Sequence, residues 1–220
     1  MVAPVARLKK SEIIELSNWT CKHGHNGLTH YPCWVRDGKP NTKTGYLDIE
    51  ASHLDANIGV MLSYYIKTHG EEEYFGRAVK GKEIVKDLDK HIVKDCIDDM
   101  LRYDTIITYY GTGFDLPFIR TRALEYRYDF PFYGALKHID CYYIAKSKLK
   151  MSSKRLAAVE EYLFGKGDKT RVEWRHWIKA LQGYDKSIKY IDSHNKIDVE
   201  VLERVYNLLK VYTKGTKRSV

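Results

Sequence analysis

Short stretches rich in apolar and β-forming residues recur along this chain, and in the first of them apolar and polar residues alternate, which together indicate β-strands. In the first stretch, Leu47 and Ile49 fall on one side of the strand and leave Asp48 and Glu50 on the other. The gaps after the first two stretches are short, so an antiparallel meander is expected there. The predicted strands cover residues 45–52, 57–67, 72–79, 103–109 and 138–143.

Helical spacing of apolar residues follows the meander and dominates the second half of the chain. Pro117 is compatible with a helix only if it lies in the first turn. The predicted helices cover residues 82–101, 116–126, 156–163, 172–181 and 187–212. A meander followed by alternating strands and helices predicts an α/β fold, in which a mixed sheet of antiparallel and parallel strands is flanked by helices.

Composition fits an ordinary globular protein, with 44% hydrophobic and 30% charged residues. No apolar run approaches the roughly 20 residues that a membrane span requires, so no membrane partner is expected. The first residues lack the order of a secretory signal, and a cytoplasmic location is therefore expected. A net charge of +8 favours a polyanionic partner such as nucleic acid.

Charge and residue type divide the chain into three segments. Residues 1–43 form an N-terminal element rich in Cys, His and turn residues, residues 44–212 form the main domain, and residues 213–220 form a basic tail. Residues 141–159 contain no acidic side chain but carry a basic run. This run either is a solvated face or follows a phosphate backbone. Its members are Lys146, Lys148, Lys150, Lys154 and Arg155.

Four carboxylates and a histidine are the candidate catalytic groups. Asp48 and Glu50 share one side of a strand, where like charges repel unless a divalent cation binds between them. Asp115 follows two glycines at the start of a predicted helix, where an aspartate is often only a cap. His194 and Asp198 lie one turn apart on an inward-facing stripe of a helix, where polar groups need partners. Each alone has an ordinary structural explanation.

Taken in order, these segments resemble the three motifs of the DEDD superfamily of 3′–5′ exonucleases, which have a ribonuclease H-like fold. Residues 109–118, 140–143 and 156–165 look similar to bacterial and phage exonuclease-like domains, and the resemblance covers roughly residues 44–212. Two positions depart from the pattern. Tyr110 stands where relatives often carry Asn, and the three residues between His194 and Asp198 are the spacing of the tyrosine branch.

The resemblance implies hydrolysis of phosphodiesters with two Mg²⁺ or Mn²⁺ ions. Asp48 would bridge both ions, Glu50 and Asp198 would hold one of them, and Asp115 would hold the other. His194 would take a proton from the attacking water or orient it. The implied substrate is a single-stranded 3′ end of DNA or RNA, in the cytoplasm of a bacterium or a phage-infected host. The alternatives are a structure-selective endonuclease or ribonuclease on the same fold, and a non-catalytic nucleic-acid-binding module.

A second candidate metal site lies in the N-terminal element. Two close pairs of Cys and His, separated by a short loop, can supply the four ligands of a structural zinc ion. The preferred set is Cys21, His23, His30 and Cys33, with His25 able to replace His23. Such a site could also position nucleic acid near the carboxylates. The alternative is a histidine-rich surface loop with two buried thiols.

Overall fold

A five-stranded sheet in the order β3-β2-β1-β4-β5 forms the centre of the fold. The computed structural model describes residues 10–38, 42–165, 167 and 172–213. β1 pairs antiparallel with β2 and β2 antiparallel with β3, whereas β1, β4 and β5 run parallel. The mixed sheet predicted from the sequence is therefore confirmed. The strands are β1 (Thr44–Ala51), β2 (Met61–Thr68), β3 (Tyr74–Ala78), β4 (Thr105–Thr108) and β5 (Lys137–Asp140).

Helices flank the sheet, and two of them, α1 and α2, precede it in the chain. None of the helices in the described ranges is long and apolar enough to cross a membrane. The helices are α1 (Lys10–Asn18), α2 (Tyr31–Asp37), α3 (Gly81–Asp87), α4 (Lys90–Met100), α5 (Asp115–Glu125), α6 (Cys141–Lys148), α7 (Leu156–Phe164), α8 (Trp174–Leu181) and α9 (Asp185–Leu209), followed by a 3₁₀ turn at Lys210–Tyr212.

Each face of β1 contributes to a different core. Leu47 and Ile49 are buried in the core that includes α4 and α5. Tyr46 is buried in the core on the other side, with residues of α6, α7 and α9. Since alternate residues of a strand share a face, Asp48 and Glu50 lie on the side of Tyr46, toward α9. The long last helix thus covers the face of β1 that carries the carboxylates.

The helix predicted over residues 82–101 is wrong in one respect, because it is two helices. Leu88 separates α3 from α4 with φ of 55°, which is incompatible with a continuous right-handed helix. The next residue, Asp89, is fully buried and accepts hydrogen bonds from Arg122 at 2.6 Å and from the Met61 amide at 2.8 Å. The break lets this carboxylate reach its buried partners.

Four predicted strands are also shorter in the structure, and the third and fourth are reduced to Tyr74–Ala78 and Thr105–Thr108. The second begins at Met61 rather than at residue 57. The fifth ends at Asp140, because the Asp140 side chain accepts a hydrogen bond from the Tyr142 amide at 3.0 Å and caps α6. Cys141 is therefore the first residue of a helix and not part of a strand.

The N-terminal element contacts the end of the sheet at which the interior strands β1 and β4 begin. Tyr31 donates a hydrogen bond to Asp104 Oδ1 at 2.7 Å, and the Lys43 amide donates to Asp104 Oδ2 at 2.8 Å. The predicted turn-rich stretch after α2 falls partly on residues 39–41, outside the described residues. Residues 1–9 and residues 214–220 of the predicted basic tail also lie outside them.

Candidate active site

Three of the predicted carboxylates come together between β1 and α9. Oxygen atoms of Asp48, Glu50 and Asp198 all lie within 4.8 Å of one another. Asp198 is buried, and the other two are half-buried. The alternation of β1 projects the first two toward α9, and the inward stripe of α9 projects the third toward β1. An all-oxygen set of this kind suits Mg²⁺ or Mn²⁺.

Asp115, at the start of α5, contacts β1 but is not part of the three-carboxylate cluster. Its Oδ1 accepts a hydrogen bond from the Ile49 amide at 3.0 Å, between the two carboxylates of β1. β4 pairs with β1 only as far as Tyr46, and beyond that point the start of α5 lies beside the strand. The buried Asp115 thus contacts β1, and a purely local capping role does not describe it.

Asn195 is a site residue that sequence reasoning did not single out. Its Nδ2 donates to Asp48 Oδ2 at 2.7 Å, and its Oδ1 accepts from Ser63 Oγ at 2.8 Å. Asn195 is fully buried, so these two bonds fix the direction of its amide. Because the amide binds one oxygen of Asp48, it orients that carboxylate. The only sequence signal is its position between His194 and Asp198.

His194 lies one turn before Asp198 on α9, outside the three-carboxylate cluster. Its Nδ1 is 2.7 Å from the Tyr190 carbonyl oxygen. A carbonyl only accepts hydrogen bonds, so Nδ1 carries the proton and Nε2 is the basic nitrogen of the neutral ring. The Tyr190 ring lies 4.4 Å away, centroid to centroid, and holds the imidazole in place.

The loop between β4 and α5 has an unusual backbone that Asp140 holds in place. Tyr110 adopts φ of 69°, in the left-handed region that residues other than Gly and Asn rarely occupy. Asp140 accepts hydrogen bonds from the amides of Tyr110 at 2.8 Å and Thr112 at 2.9 Å. The Tyr110 ring remains 45% exposed and lies edge-on to Tyr142, with centroids 4.8 Å apart. An aromatic surface is thereby presented just before Asp115.

The basic run begins on α6, which follows β5 directly, at the same end of the sheet as this loop. Four of its five members are exposed, whereas Lys154 is half-buried and its ammonium group donates to the Met151 carbonyl. The Lys154 carbonyl accepts a hydrogen bond from Tyr109 at 2.6 Å. The Lys154 side chain is therefore held by its own loop, whereas the other four side chains are exposed, with the Lys146 ammonium 5.9 Å from the centre of the Tyr142 ring. Those four are Lys146, Lys148, Lys150 and Arg155.

The cysteine–histidine cluster is also assembled, with donor atoms of Cys21, His23, His30 and Cys33 within 4.8 Å of one another. Its element contacts the sheet where β1 begins, whereas Asp48 lies four residues further along β1. That separation is roughly 13 Å at the rise of an extended strand. The expectation that this cluster positions nucleic acid near the carboxylates stays a prediction.

Comparisons with known proteins agree with this architecture. A family model described as RNase_H superfamily matches residues 45–210, and the chain belongs to this superfamily. The chain is similar to the DNA polymerase of Methanocaldococcus jannaschii, at 30% identity over 152 residues, which are 59% of this chain and 8% of that protein. This chain thus corresponds to a small part of that polymerase.

Among solved structures, the family B DNA polymerase of the hyperthermophilic archaeon Pyrobaculum calidifontis is similar, with a TM-score of 0.60 and 16% sequence identity. The match covers 78% of this chain and 25% of that one. At this identity the likeness shows the fold alone. The chain has an RNase H-like nuclease fold, with clustered acidic residues of the kind that bind divalent metals.

Proposed function

We propose that this protein is a metal-dependent 3′–5′ exonuclease that hydrolyses phosphodiester bonds of nucleic acid, and that residues 44–212 carry the activity. The observation that carries the proposal is the convergence of Asp48, Glu50 and Asp198 within 4.8 Å, on an RNase H-like nuclease fold. Carboxylates this close repel one another, and a divalent cation between them removes the repulsion.

The four carboxylates have distinct places in the proposed site. Asp48, whose carboxylate is oriented by Asn195, would contact both of two Mg²⁺ or Mn²⁺ ions. Glu50 and Asp198 would hold one ion, and Asp115, which accepts a hydrogen bond from the Ile49 amide, would hold the other. When bound, such ions stabilise the charge that develops on the phosphate and make water a better nucleophile.

His194 is the proposed proton acceptor for the attacking water. Its tautomer supports this role, because Nδ1 is committed to the Tyr190 carbonyl and leaves Nε2 unprotonated. The tyrosine-branch spacing suggests that a phenol would also be accommodated at this position. His194→Tyr is therefore expected to retain more activity than His194→Ala. Equal activities of these two variants would remove His194 from the chemistry.

The surroundings of the site favour a single-stranded substrate. Tyr110 offers an exposed ring on which a base can stack, and the exposed basic residues after β5 lie at the same end of the sheet. Base stacking requires an unpaired strand. Both similar proteins are named DNA polymerases, so DNA is the first substrate to test. From the resemblance to bacterial and phage domains, the proposed setting of this activity is the cytoplasm of a bacterium or an infected host.

The test is degradation of a 5′-labelled single-stranded oligonucleotide, as DNA and as RNA, with Mg²⁺ or Mn²⁺. Wild type should produce a ladder that shortens from the 3′ end. Asp48→Asn and added chelator should abolish it, whereas Asp129→Asn, which changes an exposed carboxylate outside the cluster, should not. Cleavage of circular single-stranded DNA would identify an endonuclease instead. Binding without any cleavage would indicate a non-catalytic module.

A further inference from the structure

The N-terminal element has a very small core of its own. Leu16, Trp34 and Val35 are buried there, and the half-buried Trp19 and Tyr31 pack against them. The two Trp rings meet edge-to-face with centroids 5.4 Å apart. A segment of this size buries too little apolar surface to hold its fold without a crosslink, a metal or a larger partner.

A tight hairpin before α2 brings the first two candidate ligands together. Thr20 and Asn26 form an antiparallel bridge, and the Cys21 amide donates to the His25 carbonyl at 2.9 Å. Gly24 turns the chain with φ of 82°, a conformation that favours glycine. The turn leaves Cys21 Sγ 3.7 Å from His23 Nδ1.

The start of α2 brings the other two candidate ligands, His30 and Cys33, to the same place. His30 immediately precedes the helix, and Cys33 lies in its first turn, with the Cys33 amide donating to the His30 carbonyl at 3.0 Å. His30 Nδ1 lies 3.5 Å from Cys21 Sγ, and Cys33 Sγ lies 3.6 Å from His23 Nδ1. Two sulfurs and two ring nitrogens therefore surround one point from separate elements.

These separations match the edges of a zinc tetrahedron. With Zn–S of about 2.3 Å and Zn–N of about 2.05 Å, the edge from sulfur to nitrogen is about 3.6 Å. Three of the four sulfur–nitrogen separations within this set are 3.7, 3.5 and 3.6 Å. We propose that Cys21, His23, His30 and Cys33 bind a structural zinc ion, the histidines through Nδ1. His25 Nδ1, at 4.0 Å from Cys21 Sγ, lies outside the set.

Hydrogen bonding between neutral thiols and imidazoles explains the cluster less well. A thiol has one hydrogen, yet Cys21 Sγ lies within 4.0 Å of three ring nitrogens. One zinc ion bonded to Cys21 Sγ accounts for the approach of the His23 and His30 ring nitrogens to that sulfur together. A thiolate is the form that zinc binds.

The site is closed and has an outer partner. Arg36 donates a hydrogen bond to Cys33 Sγ at 3.5 Å, as outer groups commonly do for zinc-bound thiolates. Four protein ligands leave no position for water, which is the composition of a structural site and not of a catalytic one. The ion would hold the hairpin against α2, and Tyr31 in turn holds α2 against Asp104 of the sheet.

The test is the metal content of the full chain, purified under reducing conditions without chelator. Wild type should hold about one zinc ion per chain, and so should the control His25→Ala. In His30→Ala and Cys33→Ser the zinc content per chain should fall at least about tenfold. Wild type that holds no zinc and takes up none when it is supplied would overturn the proposal, as would equal loss in His25→Ala and His30→Ala.

A measurement on the unmutated chain avoids the risk that a variant fails to fold. Cobalt supplied to metal-free wild type should give the strong visible absorption of a tetrahedral site with thiolate ligands, and a weak octahedral spectrum would contradict the ligand set. Zinc removal should speed hydrogen exchange in residues 19–38 and leave β1 protected. Nuclease activity should survive once Mg²⁺ is restored, so failure of either proposal leaves the other standing.

Discussion

Replacement of Asn195 by Ala tests whether the site depends on groups that never touch the metal. Asn195 is fully buried and donates to Asp48 Oδ2 at 2.7 Å, while Ser63 donates to its Oδ1 at 2.8 Å. The variant removes both bonds but none of the four carboxylates. Asp48 then loses the hydrogen bond that holds its carboxylate in the direction in which it would bind a cation.

Two independent magnitudes agree for this change. A hydrogen bond to a charged group contributes about 1.5–3 kcal/mol. Loss of an outer partner of a metal ligand typically costs about 10–100-fold in metal affinity or activity, which is about 1.4–2.8 kcal/mol. We therefore expect the Mg²⁺ concentration for half-maximal nuclease activity to rise about 10–100-fold.

The assay is the initial rate of oligonucleotide degradation across a Mg²⁺ titration. Asn207→Ala is the matched control, because Asn207 is an exposed residue of the same type on the same helix. Ser63→Ala should give a smaller shift in the same direction, since the Asn195–Asp48 bond remains. A folded Asn195→Ala protein with an unchanged Mg²⁺ dependence would refute the role of the amide in orienting Asp48.

Three further changes probe the fold and the substrate path. Arg122→Met leaves the fully buried charge of Asp89 without its cationic partner. The free energy of unfolding measured in denaturant should fall by about 3–5 kcal/mol, and a fall below about 1 kcal/mol would contradict the buried pair. Tyr110→Asn introduces a residue that tolerates the left-handed backbone but has no ring for stacking. KM for single-stranded substrates should rise while stability is unchanged or higher, and an unchanged KM would exclude stacking at this position. Burial raises the pKa of the Asp192 carboxyl, so the folded state binds its proton more tightly than the unfolded state does, and this residue's contribution to stability falls as pH rises through its folded pKa. Asp192→Asn should therefore be more stable than wild type at pH 7 in thermal unfolding and lose that advantage in acid, and equal melting temperatures at both pH values would contradict this.

Local periodicity was enough to predict which sides of β1 and α9 carry the candidate groups. Alternation placed Asp48 and Glu50 opposite Leu47, and helical spacing placed Asp198 on an inward stripe. The meander and the parallel strands followed from segment order and spacing. These features depend on residues near one another in the chain, so the sequence by itself determined them.

Contacts between distant segments were decided only by the tertiary structure. The bond between Asp115 and the Ile49 amide and the bond between Asn195 and Asp48 join residues from separate elements. The break between α3 and α4 likewise places Asp89 in contact with Arg122 and the Met61 amide, which lie far from it in the chain. Periodicity tells which side of an element a side chain occupies, but what it meets there depends on how the elements pack, because hydrogen bonds and buried charges are satisfied by proximity in space.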